Sequence, residues 1–191
     1  MAAVAWAGTP SGTPQSRAAL AACDRAEAAT GAEAEKWFAE GLATAEEAIK
    51  ADERDALAHF ALFCNLGGQM RRRGAGVQSL FELRRLRAAI DRTLELAPEF
   101  PGAYAGKGAL LLGTPRLLGG DPSEGERLLR RAVELDPEYF GPRLDLARAL
   151  ARRGAVRDAR DQGTRALEIA ERRGEAADVA AARTFLAELP P

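Results

Sequence analysis

Apolar residues along this chain recur at intervals of three and four, and the runs break at glycine, proline or acidic turns. Trp37, Phe38, Leu42, Ala45 and Ile49 follow that spacing, as do Leu83, Leu86, Ile90 and Leu94. Such spacing makes one face of a helix apolar, whereas a half-buried strand would alternate with period two. The pattern predicts helices over 16–29, 32–51, 56–70, 79–98, 102–112, 121–135, 139–153, 155–173 and 176–189, with a flexible leader over 1–15. Val, Ile and Thr nowhere run with period two. The fold class is therefore all-α, with about nine helices.

Local start and stop signals support these bounds. Ser79-Leu80-Phe81-Glu82 reads as a capping box, in which the serine oxygen accepts from a first-turn N–H and the glutamate reaches back. Asp121-Pro122-Ser123-Glu124 places an acidic cap, a first-turn proline and a glutamate in sequence. Gly67-Gly68 is expected to weaken the end of the third helix, with a loop from Arg71 to Val77. Arg116 to Gly120 is expected to be a loop carrying the apolar pair Leu117-Leu118.

The stops repeat. Ala48 to Glu53, Leu94 to Pro98 and Val133 to Pro137 restate one another, and Ala166 to Glu171 is a weaker copy. After each of the first three, a new helical pattern opens near His59-Phe60, Tyr104 or Arg143. A repeated helix pair cannot bury its apolar face alone and stacks into a solenoid. The expected pairs are 16–53, 54–98, 99–137 and 138–173, with a capping helix at 175–189, all in one domain over 16–191. Ala132 to Ala166 spans 34 residues, but Thr93 to Ala132 spans 39 and Ala48 to Thr93 spans 45. The surplus falls at the first two repeat junctions, in inserts at Arg71–Gln78 and Pro115–Asp121.

On these residues the chain resembles the tetratricopeptide-repeat family. Tyr104, Gly108 and Leu111 match the first helix of one copy; Leu129, Ala132 and Pro137 match its second. Leu146, Ala147 and Leu150, then Ala159, Ala166 and Glu171, match the next copy. The chain departs from the motif at His59 and Arg143, where a large aromatic is common, and at Gly125 and Gly163, where alanine or an aromatic is usual. The resemblance implies a right-handed solenoid of helical hairpins whose first helices line a concave groove. Carried over, that groove takes Leu57, Phe60 and Cys64 from one copy, Ala105, Ala109 and Leu112 from the next, and Leu144, Arg148 and Arg152 from the last. A narrower resemblance rests on Pro115-Arg116-Leu117-Leu118-Gly119-Gly120-Asp121-Pro122. It is to the TatT-type accessory component of tripartite periplasmic transporters, and it implies an exported helical protein that holds partner proteins, with a pocket or pore for a small-molecule ligand as the alternative function.

Composition narrows the function. Hydrophobic residues are 47% and charged residues 29%, so the chain has enough apolar surface to fold. A formal net charge of −1 argues against a nucleic-acid binder driven by bulk charge. The densest basic cluster, Arg71, Arg72 and Arg73 with Arg84, is a candidate patch for an anion or acidic partner, set against the plain expectation of a solvated face. One histidine and two cysteines make no zinc spacing, and no cofactor is implied. Cys23 and Cys64 read as small apolar residues, with a disulfide left open. No serine-histidine-aspartate arrangement, phosphate loop or HExxH occurs, so the chain is read as no enzyme. No stretch is long and apolar enough to cross a membrane as a helix. Ala5-Trp6-Ala7-Gly8 looks like a small-x-small cleavage site without its apolar run, so localisation stays open between cytoplasm and periplasm. The expectation is a non-catalytic scaffold for a protein or peptide partner, with self-association through the terminal helix as an open alternative.

Overall fold

A computed structural model describes residues 8–73 and 79–190, with the Ser79 side chain excluded. The Ala5–Ala7 segment, the Ser79 half of the capping box and residues 74–78 of the first insert lie outside the described residues. Nine α-helices, one 3-10 turn and no strand occur among them. They are α1 (Pro14–Ala28), α2 (Gly31–Ala51), α3 (Ala56–Arg73), α4 (Ser79–Leu96), α5 (Pro101–Gly113), α6 (Pro122–Leu135), α7 (Phe140–Arg152), α8 (Val156–Arg173) and α9 (Ala176–Glu188). The chain forms two compact units, Met1–Ala103 and Tyr104–Pro191, so the boundary falls inside α5.

In the first unit, α1 starts two residues before its predicted place. Thr13 caps it, its hydroxyl accepting from the Ser16 N–H at 3.1 Å, and Pro14 takes the first turn, where its missing N–H costs nothing. Thr13 is itself held. Its N–H and hydroxyl donate to Asp55 Oδ2 at 3.2 and 2.9 Å, while Asp55 Oδ1 accepts from the Ala58 N–H at 3.0 Å. One buried carboxylate thus ties the starts of α1 and α3 together. The last residues of the expected leader are ordered by this contact.

α3 does not weaken at Gly67-Gly68; it runs on to Arg73. Packing overrides propensity at that point. A Cβ on Gly68 would lie 2.1 Å from Phe38 Cε1, so the missing side chain is the seat of the α2 ring. The reverse contact lies at Gly41, where a Cβ would lie 2.2 Å from Asn65 Oδ1. Asn65 is fully buried and donates through Nδ2 to the carbonyls of Ala19 at 2.9 Å and Ala61 at 2.8 Å. Three helices therefore converge on one amide. Around it, Cys23, Ala26 and Phe38 pack with Trp37 and Cys64. A second cluster joins Phe60, Ile90, Phe100 and Ala103, with the Phe60 and Phe100 rings edge to face at 4.7 Å.

In the second unit, the departures from the repeat motif have a packing reason. A Cβ on Gly125 would lie 2.8 Å from Leu112 Cγ and 2.9 Å from the Gly108 carbonyl, so α5 and α6 touch through backbone. A Cβ on Gly163 would lie 2.8 Å from Phe185 Cε1. The ring that fills that place comes from α9 rather than from α8 itself. Leu129, Leu144, Leu146, Leu150, Ile169 and Phe185 belong to one core. Asp121 caps α6 as predicted, Oδ1 accepting from the Ser123 and Glu124 N–H groups, both at 3.0 Å. The expected loop before it contains the 3-10 turn Arg116–Leu118, closed by Gly119 at φ 83°. That φ is left-handed and suits glycine.

Candidate functional site

The helical period decides what α7 can present. Leu144, Leu146, Ala147 and Leu150 face the core and Ala151 packs at its edge, which leaves Arg148 and Arg152 on another stripe. α9 presents Ala181, Thr184 and Glu188, at steps of three and four, toward the same space, with the buried Phe185 beneath them. With Leu189 these residues line an open cleft of about 500 Å³. Its floor is apolar and its rim is mainly cationic.

The charges are unevenly paired. Arg148 donates to Asp145 Oδ1 at 3.2 Å, one turn back on α7. Burial raises the Asp145 carboxyl above its usual range, and the pull of Arg148 and Arg152 only partly opposes that shift. Arg152 forms no salt bridge among the described residues. Glu188 is the one acid in the cleft wall. A carboxylate entering the cleft meets a guanidinium with no ion pair among the described residues.

A second open cleft, of about 430 Å³, lies among α6, α7 and α8 and includes Arg143 and Arg165. Arg143, which stands at the motif's aromatic position, is only 5% exposed. It donates to Gln162 Oε1 at 2.9 Å and to the Pro137 carbonyl at 2.6 Å. Burial, and then the nearby Arg165, lower its pKa from the usual arginine value. Its Nε is buried without a partner. Arg143 is thus a structural plug whose donors face inward.

The other groove candidates separate by burial. Leu57, Phe60 and Leu144 are 2–3% exposed. A groove wall has to meet its ligand, so these three are core and not lining. Phe60 is held by Phe100 and Ile90, Leu144 by the α7–α8–α9 core. Leu112 packs on that same core while partly exposed. Ala105 is partly exposed and Ala109 exposed, both on α5. Cys64 is partly buried and faces Cys23. Of the nine, Arg148 and Arg152 are brought together in one cleft. Sequence reasoning missed the α9 wall, although Phe185 and Leu189 carry the spacing that could have shown it.

The basic cluster is largely spent within the protein. Arg71 pairs with Glu27, and Arg73 with Glu82 at 3.8 Å. Arg72 donates to the Ala29 and Ala26 carbonyls at 3.0 and 3.4 Å and lies over the Phe38 ring. These are the free carbonyls at the end of α1, where the helix dipole favours a cation. Arg84 is exposed. Three of the four arginines therefore staple the end of α3 to its neighbours instead of forming a free anion patch. His59 Nε2 lies 3.0 Å from the Glu53 carbonyl, a local turn contact. No group of three or more metal-binding side chains occurs among the described residues.

No protein-family model matches the chain, and no curated protein does. Solved structures do. TTC0263, a thermophilic TPR protein in Thermus thermophilus, has a TM-score of 0.63 at 18% identity, with 90% of each chain covered. PilW, described as a widely conserved type IV pilus biogenesis factor, has a TM-score of 0.58 at 16% identity, covering 91% of this chain and 77% of its own. YrrB, described as a TPR protein with an unusual peptide-binding site, has a TM-score of 0.52 at 19% identity, covering 88% and 76%. At such identities the likeness is one of fold. The fold is that of tetratricopeptide-repeat solenoids.

Proposed function

We propose that this chain is a non-catalytic interaction scaffold that captures an extended peptide segment of a partner protein. The observation that carries this is the α7–α9 cleft, with Arg148 and Arg152 beside the apolar Ala151, Ala181 and Leu189. Its shape is open, which suits a chain passing through better than an enclosed small molecule. A segment with an acidic residue next to an apolar anchor matches both halves of the lining. YrrB, with the same fold, is described as having a peptide-binding site, which is in keeping with this use of the architecture.

The test is a displayed library of random peptides, selected on the intact chain and measured by fluorescence polarisation. Selected peptides are expected to carry Asp or Glu beside Leu, Ile or Phe. Arg148→Glu with Arg152→Glu is expected to weaken them by about 10- to 100-fold, the scale of one or two charge-assisted hydrogen bonds. Both side chains are exposed, so the thermal midpoint should hardly move. Unchanged affinity in the double variant sinks the assignment.

A further inference from the structure

Cys23 and Cys64 are 41 positions apart in the chain and meet across the α1–α3 contact. The two helices run in parallel register there. Ala19 accepts from Asn65, Glu27 pairs with Arg71, and the Ala26 and Ala29 carbonyls accept from Arg72. Cys23 lies between Ala19 and Glu27 on α1, and Cys64 immediately precedes Asn65, the first rung on α3. The flanking positions are small. Ala19, Cys23 and Ala26 form one stripe at steps of four and three, and Ala61, Cys64 and Gly68 form the other. Ala19, Ala26 and Ala61 are fully buried, and side chains this small set no steric bar to a close approach of the backbones. A disulfide needs Cα atoms within about 7 Å and thiols that face each other, and alanine-lined helix contacts permit both. Cys64 packs against the cluster that holds Cys23.

We infer that Cys23 and Cys64 form a reversible intramolecular disulfide when the folded protein meets a small disulfide oxidant such as oxidised glutathione. Cys64, the more exposed of the two, reacts first. Its thiolate sulfur attacks one sulfur of the oxidant, that S–S bond breaks, and one small thiolate leaves. The Cys23 thiolate then attacks the mixed disulfide, the Cys23–Cys64 bond forms and the second small thiol departs. The chain loses two electrons and two protons; the oxidant gains them as two thiols. The hydrogen bond to Cys23 and burial hold the Cys64 thiol well above its ordinary range. At neutral pH Cys64 therefore rests as a protonated thiol, and the pair bridges only with the oxidant in excess. The bridge clamps α1 to α3 and closes a loop containing all of α2.

The intact chain is incubated in glutathione buffers of graded ratio, natively and in concentrated urea, then acid-quenched, digested and mapped by mass spectrometry. Native incubation is expected to give a chain two hydrogens lighter, with the Cys23 and Cys64 peptides joined. The effective concentration of the pair should be on the order of 100-fold higher in the folded than in the unfolded protein, because a bridge that fits the fold stabilises it by the same factor. The thermal midpoint of the bridged form should rise by several degrees and return on reduction. Cys23→Ser and Cys64→Ser, which keep the volume nearly constant, should each stop at a mixed disulfide or a free thiol. A folded chain that stays reduced, that stops at mixed disulfides, that links only to other chains, or that bridges no more favourably than the unfolded one overturns the inference.

Discussion

Gly67 and Gly68 are neighbours in the same helix, yet alanine at the two positions should act in opposite directions. Helix propensity alone favours alanine over glycine by about 0.8–1.0 kcal/mol at each. At Gly67 the new Cβ would lie 3.6 Å from both Arg71 Nη1 and Leu86 Cδ1, which is ordinary contact. Gly67→Ala is therefore expected to stabilise by up to about 1 kcal/mol. At Gly68 the new Cβ would meet Phe38 Cε1 at 2.1 Å and Cζ at 2.3 Å. Carbon atoms sit about 3.5–4.0 Å apart at their optimum, so the ring must retreat by well over an ångström. Phe38 is 1% exposed and has nowhere to go without shifting α2. Overpacking of this kind costs about 1–3 kcal/mol, and a clash this deep belongs at the upper end. Set against the propensity gain, Gly68→Ala should destabilise by roughly 1–2 kcal/mol. Urea denaturation followed by far-ultraviolet circular dichroism resolves such differences in the midpoint. Phe38→Leu, which removes the clashing ring edge, should make Gly68→Ala much less costly in the double variant. If Gly67→Ala and Gly68→Ala shift stability in the same direction, or Phe38→Leu leaves the cost unchanged, the seat of the ring on α3 is misassigned.

Asp55→Asn should destabilise the first unit by about 2 kcal/mol, because the amide cannot serve Thr13 and Ala58 as the carboxylate does; a midpoint shift near zero would dismiss the link between α1 and α3. Burial pushes the Asp55 carboxyl up, but the bonds from Thr13, Ser16 and Ala58 outweigh it and leave the group below its ordinary value. Its contribution to stability is then complete above about pH 4, the unfolded value, and is lost as pH falls through the lower folded value. Stability measured from neutral pH down to the acid range should show that loss in the wild type and a smaller one in Asp55→Asn. Phe185→Ala should cost about 3–4 kcal/mol, since the ring fills the place left by Gly163 within the core of the second unit; a loss below about 1 kcal/mol by urea denaturation would mean that α9 is not anchored there.

Helix existence, order and most bounds were legible in the chain, because a 3.6-residue apolar period and local caps act within a few residues of themselves. Asp121-Pro122-Ser123-Glu124 opens α6 by bonds that never leave its first turn. The 34-residue interval likewise implied stacked hairpins, since a lone hairpin leaves an apolar face wet. Gly68 reads as a weak point in sequence, and Gly125 and Gly163 as departures from the repeat motif; they are the places where another element arrives: the Phe38 ring, the backbone of α5, and Phe185. The candidate site divides in the same way. Periodicity places Arg148 and Arg152 on one stripe, but whether Phe60 and Leu144 line a groove or fill a core depends on what packs over them. Phe100 and the α8–α9 helices cover them. Sequence thus determined the elements, whose energetics are local; the tertiary structure decided which apolar faces meet, because burial belongs to pairs of surfaces that lie far apart along the chain.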